Sequence, residues 1–370
     1  MVLWMPGPDS YTGEDSAELY LHGGRAVLDG VADALVSLGL RPADPGEFTR
    51  RAFLNGRMDL IEAEAVHDLV ASETAEQRRQ ALRQLDGALG ALYRGWVDRL
   101  RAVLAHQEAL IDFPEEDLPD DVEAGIGGEL DALAGEIAIH LADDRRGERL
   151  REGLTFAIVG PPNVGKSSLI NALAERDVAI VSPLPGTTRD TLETRLVLGG
   201  VPVTLVDTAG LREAADAIEA EGVRRARACA AEADLVVAVI EAGITDQIEA
   251  HANTRVLRIA NKIDLGGSVP CGAIGLSALT GEGLGALRRH LAEEARALIE
   301  NGGSPPLTRA RHRAALEEAA SVLAEARMAD WPELRAESLR LALRALGRVT
   351  GEVATEEILD LIFGQFCIGK

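Results

Sequence analysis

An apolar run, Leu154-Thr155-Phe156-Ala157-Ile158-Val159, leads straight into Gly160-Pro161-Pro162-Asn163-Val164-Gly165-Lys166-Ser167, and a helical pattern then runs from Ser168 to Ala174. A strand, a glycine loop with the spacing G-x-x-x-x-G-K-[ST] and a helix, in that order, leave few folds open. The glycines let the backbone wrap phosphates, so that successive amide N–H groups and the helix N-terminus face the anion. Lys166 is expected to reach the β- and γ-phosphates, and the Ser167 hydroxyl to coordinate Mg²⁺. Asn163, Val164, Gly165 and Ser168 complete this phosphate loop.

Similar apolar runs recur at 201–206, 235–240 and 256–259, with helical patterns between them. Strands alternating with helices predict a mainly parallel sheet covered on both faces. Asp207-Thr208-Ala209-Gly210 closes the 201–206 strand. A carboxylate there can hold the Mg²⁺ shell, and the backbone N–H that follows can sense a γ-phosphate. Gly186-Thr187-Thr188-Arg189-Asp190 lies between these motifs, where a first switch belongs, with Thr188 as the second hydroxyl ligand to Mg²⁺.

Asn261-Lys262-Ile263-Asp264 follows the 256–259 strand and selects the base. Guanine offers N1–H and an exocyclic amine as neighbouring donors, and the Asp264 carboxylate can accept both. Adenine lacks that pair, and a buried polar group left unpartnered costs roughly 1–3 kcal/mol. Asn261 can bond the far edge of the base, and the Lys262 stem can lie over its face. Ser277-Ala278-Leu279 supplies the rest of the base pocket from a loop. The region from Gly160 to Leu279 therefore reads as a P-loop domain that binds and hydrolyses GTP.

One expected part is missing. Ras-like enzymes place a water-orienting Gln directly after the Asp-x-x-Gly element, whereas Leu211 follows Gly210 here. An apolar side chain cannot polarise water, so another group must act. Glu213, Asp216, Glu219 and Glu221 are acidic candidates, and Arg212 is placed to neutralise charge.

The chain has 370 residues, long enough for two or three domains, and 46% of them are hydrophobic, enough to bury real cores. Aromatics reach only 3% while Ala, Leu, Arg and Glu abound, which favours helices over sheet sandwiches. The formal net charge of -22 gives no global attraction for phosphate backbones, so a nucleic-acid substrate would need a local patch or a more basic partner. Cys229, Cys271 and Cys367 form neither a disulfide framework nor a zinc spacing and fit a reducing compartment. No apolar run approaches the ~20 residues of a membrane span and Met1 opens no leader pattern, so the expected location is cytoplasmic, away from membranes.

Residues 1–57 are rich in Gly and Pro, with one helical pattern at about 27–38, and read as a small mixed α/β piece. From 58 to 153 the composition is helical, with a break expected near 87–95 and a further helix over about 122–150. The α/β pattern occupies 154–300. Helical composition returns from 301 to 370, re-entered through Gly302-Gly303-Ser304-Pro305-Pro306. The expected architecture is thus a P-loop GTPase domain inserted in a discontinuous helical domain, preceded by a truncated α/β N-terminal domain.

An inserted GTPase domain in a chain ending Phe366-Cys367-Ile368-Gly369-Lys370 resembles the tRNA modification GTPase family MnmE, also called TrmE. Further matches are Pro6-Gly7-Pro8 with Tyr11-Thr12-Gly13-Glu14-Asp15, His22-Gly23-Gly24, Pro45-Gly46-Glu47-Phe48-Thr49, Ala52-Phe53-Leu54-Asn55-Gly56 and Ile111-Asp112-Phe113-Pro114. The resemblance spans essentially the whole chain. It implies a homodimer that works with the FAD-dependent partner MnmG (GidA) as a heterotetramer. Together these add a carboxymethylaminomethyl-type group to the wobble uridine of certain tRNAs, using 5,10-methylene- or 5-formyl-tetrahydrofolate.

By the same resemblance, Glu18, Arg57 and Lys370 match folate-contacting positions, Arg57 standing where the family often has lysine. Asn163 matches the side chain that coordinates K⁺ when the G domains dimerise across their nucleotide faces. Ser182, Leu184 and Thr187 match the loop that completes the K⁺ shell, and Ser182, Pro183, Leu184, Pro185, Gly186 and Thr187 count with the nucleotide site. A cation beside the β- and γ-phosphates can offset developing charge as an arginine finger does. Glu219 matches the acid that positions the attacking water, and Cys367 a cysteine considered for the modification chemistry. Family members carry a further stretch before the equivalent of Met1, with the first strands of the folate domain, its dimer contact and a basic folate contact. A ribosome-assembly or regulatory GTPase with no part in covalent modification would explain the nucleotide motifs equally well. It would leave the split helical domain and the Phe366–Lys370 ending without a reason.

Overall fold

The computed structural model of the chain describes residues 1–113, 121–175, 193–207, 231–244, 255–300, 305–353 and 355–366. Contacts divide it into two units. The first takes in 1–71, 80–144 and the chain from 309 on, and the second 72–79 and 145–308.

The first unit opens with two short antiparallel strands, β1 (Val2–Met5) and β2 (Ser16–Leu19), paired Val2 to Leu19 and Met5 to Ser16. The helix α1 (Arg25–Ser37) follows and buries none of its residues. Helices α2 (Glu47–Leu54), α3 (Leu60–Ala71) and α5 (Ala88–Asp112) continue the unit, while α4 (Ala75–Leu85) is divided between the two. Helices α6 (Asp121–Leu141), α10 (Ala310–Met328), α11 (Pro332–Thr350) and α12 (Glu356–Phe363) complete it. Along α5, Leu89, Tyr93, Trp96, Val97, Leu100 and Val103 are buried. Their steps of three and four residues put one apolar stripe on the helix, as a core-facing helix requires.

Two sequence expectations change here. The break foreseen over 87–95 narrows to Asp86-Gly87, where Gly87 takes a left-handed φ of 81°, and α5 runs on through Gly90 and Gly95. A helical glycine costs only ~1 kcal/mol relative to alanine, less than the ~1.5–3 kcal/mol gained by burying one large apolar side chain beside it. The pattern over 122–150 is interrupted between α6 and α7 (Arg146–Glu152). Asp144 and Arg145 there have φ of 52° and 58°, and Arg313 donates to the Leu141 carbonyl (2.9 Å) and to Asp143 Oδ1 (2.6 Å). An arginine that satisfies a terminal carbonyl stabilises a helix end at that point.

The chain end is anchored rather than loose as far as Phe366. Leu359, Ile362, Phe363 and Phe366 bury themselves with Leu60 and Ala63 of α3, and the Phe366 ring lies 4.9 Å from that of His67.

The second unit is built on β3 (Leu154–Val159), β4 (Glu193–Leu198), β5 (Val201–Asp207), β6 (Leu235–Glu241), β7 (Val256–Asn261) and β8 (Ala273–Gly275). The sheet order is β4-β5-β3-β6-β7-β8, parallel throughout except for β4, which pairs antiparallel with β5. The helices α7, α8 (Lys166–Ala174) and α9 (Leu284–Ile299) belong to this unit. Leu169, Ile170 and Leu173 of α8 and Leu284, Leu287 and Leu291 of α9 share a core with Phe156, Val203, Val237 and Ile259 of the strands. The mainly parallel sheet with helices expected from the sequence is what forms. No helix among the described residues is long and apolar enough to cross a membrane.

Candidate nucleotide-binding site

In an open parallel sheet, ligands bind beyond the carboxyl ends of the strands, and the motif residues gather there. β3 ends at Val159 and enters the glycine loop, β5 ends on Asp207, β6 on Glu241 and β7 on Asn261. Gly160 and Gly165 are forced choices. Gly160 has φ 155° with the Val239 carbonyl filling the place of a Cβ. Gly165 has φ 95°, caps α8, and would drive a Cβ into Asn261 Nδ2. Only glycine holds that backbone without strain.

Within the loop, the buried Lys166 donates from Nζ to the carbonyls of Gly160 (2.9 Å) and Pro161 (2.7 Å). Its ammonium is thereby held inside the ring of loop backbone where anionic oxygens would sit. Ser167 donates from Oγ to Asp207 Oδ2 at 2.7 Å, joining the first turn of α8 to the end of β5. A hydroxyl and a carboxylate are hard oxygen donors, the set that suits Mg²⁺. Asn163 has the left-handed φ of 61° and an exposed side chain, Val164 is buried, and Ser168 is exposed.

The base-selecting residues form the second half. Asn261 is buried, donating from Nδ2 to the Val164 carbonyl (2.8 Å) and accepting at Oδ1 from the Ala278 N–H (3.0 Å). One amide therefore ties the phosphate loop to the 277–279 loop, a link that sequence reading did not anticipate. Asp264 sits in the short 3₁₀ turn Ile263–Leu265, its side chain exposed, and the Ile263 N–H bonds the Leu276 carbonyl at 3.2 Å. Ser277 is fully buried and accepts at Oγ from the Thr280 N–H (3.1 Å), which fixes its loop, while Leu279 is 88% exposed. Lys262 has φ 65° and pairs through Nζ with Glu241 Oε2 at 2.7 Å.

Ser182, Pro183, Leu184, Pro185, Gly186, Thr187, Thr188, Thr208, Ala209, Gly210, Arg212, Glu219, Cys367 and Lys370 lie outside the described residues. In the first unit, Glu18 on β2 accepts from the Tyr20 hydroxyl at 2.7 Å, and the exposed Arg57 lies against Gly13; the two form no ion pair with each other.

A strand–glycine loop–helix at the carboxyl edge of a parallel sheet, with the Asn261–Asp264 turn beside it, defines a P-loop protein of the GTPase class. Residues 60–367 match the family model for the MnmE helical domain, and residues 1–57 that for the GTP-binding protein TrmE N-terminus. The tRNA modification GTPase MnmE of Gluconacetobacter diazotrophicus is 62% identical over 373 residues, covering 100% of this chain and 85% of the relative. That of Granulibacter bethesdensis is 56% identical over 379 residues, covering 100% and 86%. The chain belongs to the tRNA modification GTPase MnmE family. Among solved structures, an Era variant of Aquifex aeolicus shows 26% identity over 46% of this chain and 66% of that one, at a TM-score of 0.31.

Proposed function

We propose that this GTPase of tRNA modification hydrolyses GTP with Mg²⁺, is stimulated by K⁺ through dimerisation of its G domains, and acts with an FAD-dependent partner. Together they place a carboxymethylaminomethyl-type group on the wobble uridine of certain tRNAs. The observation that carries the GTP reading is the Asn261 bridge, which makes the phosphate loop and the base loop one body, so that binding a base aligns the phosphates with Lys166 and Ser167. Domain roles follow the same reading: 1–57 for folate and dimer contacts, 154–300 for GTP, and 58–153 with 301–370 as the helical frame.

Each residue has a task. The N–H groups from Asn163 to Ser168 cradle the phosphates, Lys166 offsets their charge, and Asp264 accepts the two guanine donors. The hydroxyls of Ser167 and Thr188 would hold Mg²⁺, with the Asp207 carboxylate at its shell. A Mg²⁺ held by these residues would supply charge neutralisation for the phosphate oxygens. Asn163, with oxygens of the loop that carries Ser182, Leu184 and Thr187, would hold K⁺, and Glu219 positions the attacking water in place of the absent Gln. Glu18, Arg57 and Lys370 contact a tetrahydrofolate, and Cys367 takes part in the modification chemistry. The acidic chain reaches tRNA through its complex in the cytoplasm.

Phosphate release from GTP, measured in KCl against NaCl at equal ionic strength, tests this mechanism. Hydrolysis is expected to be at least about tenfold faster in KCl, since a cation standing in for an arginine finger recovers part of an effect of order 10³–10⁵. Equal rates in the two salts contradict it. Repeating the assay with the FAD-dependent partner and tRNA tests the coupling.

A further inference from the structure

Glu241 ends β6 directly opposite Asn261 in the β6–β7 register, and the Ala242 N–H bonds the Asn261 carbonyl at 2.8 Å. This places a carboxylate at the strand edge where the polyanionic nucleotide binds. A lone acid there repels phosphates, so its position calls for a reason. Its partner supplies one: Oε2 lies 2.7 Å from Nζ of Lys262, both side chains about one-third exposed. Lys262 itself has φ 65°, a conformation that non-glycine residues adopt at a cost and that clusters at functional sites.

We infer that Glu241 is a positioning residue for guanine-nucleotide binding, holding the Lys262 ammonium so that the lysine stem forms a ready-made platform for the face of the base. The inference deepens the reading of Asn261–Asp264 as the base pocket and rests on it. The left-handed backbone at Lys262 sets where its Cβ starts, but four side-chain torsions remain free, and the ion pair with Glu241 closes that freedom. A long side chain immobilised before the ligand arrives spares binding the cost of ordering it, which for one such chain corresponds to a roughly 2- to 13-fold effect on affinity. Contact with the face of the base does not depend on the 2-amino group, whereas recognition by Asp264 does.

The test uses the full chain with Mg²⁺ and measures Kd for GTP and for inosine triphosphate, which lacks the 2-amino group. Glu241→Ala is expected to raise both Kd values by the same factor, roughly 2- to 13-fold, and to raise KM for GTP while kcat at saturation stays within about twofold. Glu241→Gln, which keeps an acceptor for Lys262 without the charge, is expected to recover most of the loss. Asp264→Asn, run in parallel, is expected to weaken GTP more than inosine triphosphate. If Asp264→Asn leaves GTP affinity intact, the base-pocket reading fails and this inference with it. If Asp264→Asn behaves as expected while Glu241→Ala leaves both Kd values unchanged, or weakens GTP alone, the positioning role is overturned and the pocket stands.

Discussion

Substituting Asp264 by Asn is expected to convert the pocket from guanine to xanthine nucleotides. In the proposed site this carboxylate accepts from both N1–H and the exocyclic amine of guanine, and each such charge-assisted bond would contribute about 1.5–3 kcal/mol. The asparagine amide keeps one acceptor but turns an N–H toward the exocyclic amine, setting donor against donor. The Kd for GTP is expected to rise on the order of 10²–10⁴-fold. Xanthine carries an oxygen where guanine has the amine, so the same amide donates to it and accepts from N1–H. Xanthosine triphosphate should become the preferred ligand. Titration of both nucleotides with the variant checks this, and a variant that still prefers GTP would remove Asp264 from the base-selecting role. The exposed position of Asp264 in a short turn makes the substitution mild for folding.

The second large effect is on stability and concerns the helical unit. Glu64 of α3 is 1% exposed and receives Arg311 through two nitrogens, Nε at 2.6 Å and the second at 2.7 Å. His312 Nε2 lies 2.9 Å from the same carboxylate and Arg309 Nε 3.4 Å away, with Arg309 also donating to Asp68 Oδ1 at 2.7 Å. Burial raises the Glu64 carboxyl, but Arg311 and His312 outweigh that and hold it below the ordinary carboxylate range. Glu64→Ala takes from Arg311 the carboxylate it meets through two nitrogens and from His312 its acceptor, while Arg309 keeps Asp68, and breaking a buried pair from one side costs about 3–5 kcal/mol. At roughly 2–4 °C per kcal/mol for a unit of this size, the melting temperature should fall by about 10 °C. The Kd for GTP, measured well below that temperature, should stay within about twofold, because Glu64 is no part of the nucleotide site.

The same cluster sets a direction for pH. His312 is fully buried, and its Nδ1 has no hydrogen-bond partner. Burial, with Arg311 adding to it, pushes the His312 pKa down to about 4 against the pull of Glu64. The ring is therefore neutral in the folded chain at pH 7, with Nε2–H donated to Glu64. An unfolded histidine takes its proton near pH 6.5, so acidification feeds the unfolded state first. Stability should decline as pH falls from about 6.5 toward 4. Glu64 adds a further loss below about 4.5, where the unfolded carboxyl protonates before the folded one. Melting curves from pH 7 to 5 check the first part, and His312→Gln should flatten that decline. A variant as acid-sensitive as the parent would assign the loss elsewhere.

What the sequence made legible was whatever had a local signature. The phosphate loop, β3, β5, β6 and β7 were readable because an apolar run of strand length ends in residues whose chemistry is fixed by spacing. The edge strand β4 was not, since its first half, Glu193-Thr194-Arg195, carries little apolar signal and only Leu196 and Leu198 reach the core, leaving too short an alternation to mark a strand before its pairing with β5 is seen. Three-residue β8 is too short to leave any pattern. The Glu64 cluster was invisible for another reason. Glu62-Ala63-Glu64-Ala65 reads as a solvated helix face, and the arginine that buries Glu64 lies 247 residues away in sequence. Asn261 shows the same limit within a motif: its residue type is legible, but its bond to the Val164 carbonyl requires the loop of another strand.

In the mechanism proposed above, the base loop, locked to the phosphate loop through Asn261, accepts only guanine at Asp264, so GTP is cleaved in preference to ATP. Phosphate release from GTP and from ATP by the full chain, at equal concentration with Mg²⁺ and K⁺, tests it most directly. Turnover of GTP is expected, with a kcat/KM for ATP lower by at least about two orders of magnitude. Comparable values for the two nucleotides would contradict it.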